Sequence, residues 1–245
     1  MSRNSQLLRL LQDTQVLTPP RPVLVADPMM HPPAGDGAGR GAFRALAQRL
    51  FLALGTDAAL RSVLFCSIER RNRLAIISAR VAQALATIAN LSLCLLDANL
   101  RSPTLHEVLA RPNRQGLSDF LRQPSDLRGL IQHLDPTNLW FLPAGPPAAN
   151  VDSLIFSDRM RICLADLRSQ FDCVLIQAPP IDSDEEAVWM GRLTDGVILV
   201  LEAGVSRRDD AERAKQSFDA AGVKVLGAVL NSHQSPIPEV LERLF

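Results

Sequence analysis

Residues 62–97 read SVLFCSIERRNRLAIISARVAQALATIANLSLCLLD, and this stretch decides the fold. Its two ends, SVLFCSI (62–68) and LSLCLLD (91–97), are short continuous apolar runs that read as buried strands. Between them Leu74, Ile77, Val81, Leu85 and Ile88 recur at steps of three and four, the spacing of one helix face. Strands that are apolar throughout, rather than alternating, belong in a parallel sheet with helices on both faces.

Working outward, the alternation continues. A helix is expected over 42–54, short helices over 103–134, and a strand in NLWFLPAG (138–145). Then come a helix over 157–170, strands DCVLIQ (172–177) and GVILVLE (196–202), a helix over 206–221, and the strand KVLGAVLN (224–231). The helix at 206–221 opens with Ser206 and Asp209 at capping-box spacing and carries Ala211, Ala214, Phe218 and Ala221 as its core stripe. The pattern predicts an α/β domain, a doubly wound and mostly parallel sheet with helices on both faces.

Residues 1–41 read differently. Leu7, Leu8 and Leu11 form one short stripe that either packs on its own domain or docks on a membrane-embedded partner; Pro19, Pro20 and Pro22 end it. From Thr18 to Gly41 the chain is rich in Pro and Gly. The glycines at 35, 37, 39 and 41 follow MMHPP rather than a strand, so a linker is expected rather than a phosphate cradle. The expected division is therefore a helix and linker over 1–41 and an α/β domain over 42–245.

Composition narrows the function. Acidic and basic residues balance at 26 each, which argues against a nucleic-acid binder that works by neutralising phosphates. No apolar run approaches the ~18 residues that span a bilayer, and residues 1–11 lack the apolar core of a secretory signal. Cytoplasmic placement is expected. Cys66, Cys94, Cys163 and Cys173 lack CxxC spacing and read as buried thiols. His31, His106, His133 and His233 are scattered, so no metal site is expected. The chain has two lysines, Lys215 and Lys224, and neither follows a glycine-rich loop, which excludes a GxxxxGK[ST] phosphate loop. There is no GxSxG elbow, and no catalytic residue is assigned.

Open parallel sheets bind ligands at the carboxyl ends of their strands. Here those ends are SIERRNRLAII, LLDANLRSP, LIQAPPIDSDEEA and VLNSH. Together they resemble the bacterial tyrosine-kinase family of capsule and exopolysaccharide export, a branch of the partition-type ATPases with a deviant phosphate loop. The resemblance covers roughly residues 40–232. It rests on LLDANLRSPTLHEVL (95–109), GLSDFL (116–121), NLWFLPAGPPAANVDSLI (138–155), SDRMRICLADLRSQFDCVLIQAPP (157–180), LTDGVILVLEAGVSRR (193–208) and VLGAVLN (225–231), in the family's order and spacing. It implies a P-loop NTPase-like fold.

The departures fall on the chemistry. The resemblance puts Leu74 at the phosphate-loop lysine, Arg71 and Arg73 at the loop glycines, and Ala75 and Ile76 at the hydroxyl residues. Leucine brings no cation to the β- and γ-phosphates, and alanine no hydroxyl to Mg²⁺. Gln177 stands at the metal-organising aspartate, Asn99 at the second aspartate of the 97–99 pair, and Glu186 at a further aspartate. Asp97 is kept, as is Asn231, which in the family lies near the base; these two are the remnant nucleotide-binding candidates. The segment 41–50 resembles the ring-forming helix, but of its three charged positions only Arg44 survives, so self-association is left open. The 245 residues contain no tyrosine, so the chain offers no tyrosine for self-phosphorylation.

Two charged groups keep two readings. Arg70, Arg71 and Arg73 either form a solvated loop balanced by Glu69 or meet an anion such as an acidic segment, a lipid head group or a phosphate; with Arg44 they are the interaction candidates. Asp182, Asp184, Glu185 and Glu186 either bind a cation or serve as dipole and capping chemistry at a helix start. The resemblance implies a membrane-anchored polysaccharide co-polymerase or chain-length regulator as partner, which would hold the chain at the inner face of the membrane. The function expected is a degenerate scaffold or regulator without cofactor. The alternatives are a kinase with residual ATP and Mg²⁺ binding that acts on a partner, or a partition-type positioning relative.

Overall fold

The computed structural model describes residues 23–26, 37–56, 60–69, 73–88, 91–123, 125–148, 150–181 and 185–231. Its strands are β1 (Val23–Ala26), β2 (Ser62–Ser67), β3 (Leu93–Asp97), β4 (Gln132–His133), β5 (Leu139–Leu142), β6 (Cys173–Gln177), β7 (Gly196–Glu202) and β8 (Val225–Asn231). Its helices are α1 (Gly37–Thr56), α2 (Leu74–Ile88), α3 (Leu105–Val108), α4 (Leu117–Arg122), α5 (Val151–Ile155), α6 (Asp158–Gln170), α7 (Glu186–Arg192) and α8 (Arg208–Ala220).

The strands form one eight-stranded sheet in the order β1-β8-β7-β2-β6-β3-β5-β4, parallel except for the β4–β5 pair. Every residue of β2, β3 and β6 is buried. One face is covered by α1 and α2, which bring Phe43, Leu46, Leu50, Leu74, Ile77, Val81 and Leu85 onto Val63, Phe65, Leu93 and Leu95. The other is covered by α4 to α8, where Met160, Leu164, Leu167, Met190 and Phe218 pack on Leu64, Leu96, Val174 and Ile176. Strand side chains alternate between these two cores because successive Cβ atoms leave a strand on opposite sides. This is the doubly wound architecture that the apolar runs predict.

Two aspartates pin strand starts at the amino edge of the sheet. Asp195, just before β7, accepts from the backbone N–H of Arg61 (2.8 Å) and of Ser62 (2.7 Å) and from the Ser62 hydroxyl (2.8 Å). Arg168 of α6 closes this cluster at 2.6 Å. Asp172, just before β6, accepts from the backbone N–H and the hydroxyl of Ser92, each at 2.8 Å. Those bonds hold its carboxyl below the usual range.

The structure corrects the expectation of a linker throughout 18–41. Val23–Ala26 adds a parallel strand beside β8, in the register Val23↔Ala228 to Ala26↔Asn231. Helix α1 starts at Gly37 and so takes in three of the four glycines. A four-residue edge strand has too little sequence to show its period, and its pairing partner lies some 200 residues away. The capping box at 206–209 is also corrected: the N-cap of α8 is Arg207, without a side-chain cap bond. Ser206 is spent on a different contact, given below. The stripe of α8 is otherwise as read, with Ala211, Ala214 and Phe218 buried. The Leu7–Leu11 stripe lies outside the described residues.

The Asp195 cluster makes a stability prediction. Asp195→Ala leaves two backbone N–H groups and Arg168 without their acceptor and should cost about 2–4 kcal/mol. A thermal melt should show Tm lowered by roughly 4 °C or more, whereas the exposed Asp158→Ala should leave it within about 1 °C.

Candidate functional site

The ends of β2, β3, β6, β7 and β8 lie side by side along one edge. Asp97 closes β3 directly across from Gln177, which closes β6. Glu202 and Asn231 close β7 and β8 opposite each other. Asp97 and Asn231, expected as remnants of one site, therefore sit four strand spacings apart, about 19 Å. They do not touch; they flank the edge.

The first group is built around Asp97, whose side chain is fully buried. Its Oδ1 accepts from the backbone N–H of Asn99 at 3.1 Å. Its Oδ2 accepts from the N–H groups of Thr104 (3.2 Å) and Leu105 (3.1 Å). The carboxylate thus folds the β3–α3 loop back over itself. Burial pushes its pKa up to about 7, although the three N–H bonds pull the other way. Beside it the Gln177 amide accepts from the Ser78 hydroxyl and donates to that of Thr104, both at 3.3 Å. Ser78 also donates to the Leu74 carbonyl at 2.8 Å. The start of α2 is thereby tied to the ends of β6 and β3, and Leu74 in the first turn of α2 is only 2% exposed.

The second group lies at the other end. Ser206 receives the N–H of Glu202 at 2.7 Å and donates to the Glu69 carboxylate. The amide of Asn231 donates to Glu202 at 2.6 Å. Burial raises the pKa of Glu69, as do Glu202 and Asp210 nearby, while the Ser206 and backbone bonds oppose the rise. Loop β2–α2 is in this way latched to loop β7–α8. A third contact joins loops: Arg101 spans Asp152 at 2.7 Å and Glu186 at 2.5 Å, the latter 1% exposed. Glu186 stands in the first turn of α7, as the dipole reading expects, and is also an ion-pair partner, which compensates its buried carboxylate. Sequence reading missed all three of these ties, because each joins side chains from distant loops. The nearest signal was Glu69, read as a balance for the arginines.

The other candidates scatter. Arg44 lies exposed on α1, and Arg73 directly precedes α2. Arg70, Arg71, Asp182 and Asp184 lie outside the described residues. The four cysteines are buried and free, and burial pushes Cys173 up to about 12. Among the described residues no group of His, Cys, Asp and Glu is arranged to hold a metal, and no helix is long and apolar enough to cross a membrane.

A doubly wound sheet with its polar residues at the carboxyl ends of the strands is an α/β domain of the ligand-binding, open-sheet class. No family model matches the chain. It is 31% identical over 172 residues to the putative tyrosine-protein kinase CapB of Staphylococcus aureus, an alignment covering 70% of this chain and 75% of CapB. It is also 31% identical over 137 residues to the tyrosine-protein kinase YwqD of Bacillus subtilis, covering 56% of this chain and 58% of YwqD. Against the Escherichia coli tyrosine-protein kinase Etk it is 29% identical over 136 residues, 56% of this chain but only 19% of Etk. Among solved structures, the chimerical protein CapA2B2 superposes with a TM-score of 0.78 at 25% identity, over 87% of this chain and 95% of that one. The septum site-determining protein MinD of Pyrococcus horikoshii, complexed with Mg-ADP, shares the fold at a TM-score of 0.61 and 22% identity, over 76% and 77% of the two chains. The chain belongs to the bacterial tyrosine-protein kinase family.

Asp97 gives this edge a pH signature. An ordinary carboxyl titrates near 4 when unfolded and this one near 7 when folded, so between those values the native state binds more protons. Stability contributed by this group is therefore highest below pH ~4, falls as pH rises towards ~7, and then levels. Urea denaturation of wild type and Asp97→Asn at pH 5 and pH 8 should show the loss in the wild type and a smaller loss in the variant. Equal pH dependence in both proteins would contradict the assignment.

Proposed function

We propose that this chain is a catalytically degenerate member of its family, a scaffold or regulator in exopolysaccharide or capsule synthesis and export. The observation that carries the reading is Leu74. The resemblance puts it at the phosphate-gripping lysine, and it is buried in the first turn of α2, packed into the core shared with α1. A hydrocarbon there supplies nothing to a nucleotide, and a cation could not take its place without leaving that core.

The rest of the edge supports the same reading. Both Asp97 oxygens accept from the chain's own backbone, and the Gln177 amide is bonded at both its oxygen and its nitrogen. A Mg²⁺ ion takes carboxylates and oxygens in strict octahedral geometry, and these residues, in the contacts they make, do not fit it. The chain contains no tyrosine to receive a phosphoryl group. In this reading the chain works without a cofactor and binds a membrane-anchored polysaccharide co-polymerase or chain-length regulator. That partner places it at the cytoplasmic face of the membrane, and the interaction candidates are Arg44, Arg70, Arg71 and Arg73.

A second reading, residual binding of ATP and Mg²⁺ with kinase activity on a partner's tyrosines, draws on Asp97 and Asn231 standing at the strand ends. Thermal shift with millimolar Mg-ATP and Mg-ADP separates the two. Binding tighter than ~100 μM would raise stability by about 1.4 kcal/mol, and no shift with either nucleotide is expected. Leu74→Lys restores the missing cation in sequence only. It should lower stability by about 1–3 kcal/mol in urea titrations and bring no nucleotide binding. A variant that gained binding would favour the second reading.

A further inference from the structure

The chain is neutral as a whole, but its charge is divided unevenly between the two faces of the sheet. Helices α1 and α2, which pack on each other and cover one face, contain four arginines, at 40, 44, 49 and 80, and no aspartate or glutamate. The short α3 on the same face adds one carboxylate, Glu107. Helices α4 to α8 on the opposite face hold nine acidic residues against eight basic ones.

The two faces also differ in what neutralises their charge. Basic side chains of α6 and α8 stand beside carboxylates, as Arg161 does with Asp158, Arg208 with Glu212 and Lys215 with Asp219. Among the described residues Arg44, Arg49 and Arg80 have no carboxylate partner. Arg44 and Arg49 share the outward stripe of α1 with Gln48 and Leu52, while Phe43, Leu46, Ala47 and Leu50 turn into the core. Arg80 stands on the outward stripe of α2 with Gln83 and Thr87. Three exposed arginines on one helix pair, without opposing carboxylates, make a positive surface.

Shape and composition select the anion. Helix α1 is 20 residues long, about 30 Å, so its arginines address a plane rather than a point. A stable protein interface has an apolar core depleted of charge. This surface has Leu52, 63% exposed, beside its arginines instead. That combination suits a lipid headgroup layer, where cations meet phosphates and an apolar side chain enters between them.

We propose that the α1–α2 face binds directly to an anionic lipid bilayer surface through Arg44, Arg49 and Arg80, with Leu52 beside them. The contact uses neither the polysaccharide partner nor the strand-end edge, so its failure leaves the proposed function where it stands.

Flotation of the full-length protein with vesicles tests this, using phosphatidylcholine alone and phosphatidylcholine mixed with phosphatidylglycerol. The protein should bind the mixed vesicles only, and less as salt rises. Each arginine at such a surface is worth about fivefold in partitioning, so Arg44→Gln, Arg49→Gln and Arg80→Gln together should lower it by roughly 100-fold. These side chains have no ion pair to lose, so Tm should hold. The triple substitution Arg161→Gln, Arg208→Gln and Arg213→Gln changes the net charge equally on the opposite face. It should leave partitioning within about twofold, because charges beyond a Debye length from the lipid are screened. Equal losses in the two triple variants, or no binding of the wild type to the mixed vesicles, would overturn the proposal. Without vesicle binding, capture by poly-glutamate would assign the face to an acidic polypeptide, and a dimer dissolved by the first triple would assign it to a second copy; both overturn the proposal.

Discussion

The whole structure depends on one requirement: the backbone of β2, β6 and β3 is buried on both faces, so each of its polar groups must pair along the sheet. The parallel registers of these three strands meet that requirement, and the helices on either side supply apolar cover without competing for the backbone. A parallel strand cannot reach its neighbour by a tight turn, so each pairing needs a crossover. The loops that carry chemistry are a consequence of those crossovers. They gather at one edge because every parallel strand ends there.

At that edge the same physical rule operates on polar side chains. A carboxylate or amide enclosed by protein is tolerated only when its hydrogen bonds are met. Asp97, Gln177 and Glu186 meet theirs within the chain, through loop N–H groups, two hydroxyls and Arg101. The internal bonds hold the loops of this chain in place by themselves.

The elements that were legible from sequence share one property, an apolar period long enough to be distinctive. Helix α2 shows four turns of stripe, and β2, β3, β6, β7 and β8 are each five to seven residues of continuous burial or nearly so. Strand β1 and the two-residue β4 fall below that length, and each is specified by its neighbour rather than by its own residues. Ser206 illustrates a different failure. Its spacing to Asp209 is that of a helix cap, but a half-buried glutamate from another loop takes its hydroxyl. Local rules state what a side chain can do for its own backbone. They are silent about a stronger acceptor arriving from more than a hundred residues away.

The sequence by itself determined the fold class, through the period of its apolar residues, and the absence of a GxxxxGK[ST] loop, through where its two lysines fall. Both are properties of single positions or of short windows, which a linear chain displays directly. Only the tertiary structure decided that Leu74 is buried, that Asp97 and Asn231 stand four strands apart, and that Glu69, Ser206, Glu202 and Asn231 form one hydrogen-bonded line. The reason is strand order. The chain visits these loops in the sequence β2, β3, β6, β7, β8, but the sheet sets them side by side in another, and contacts follow the sheet.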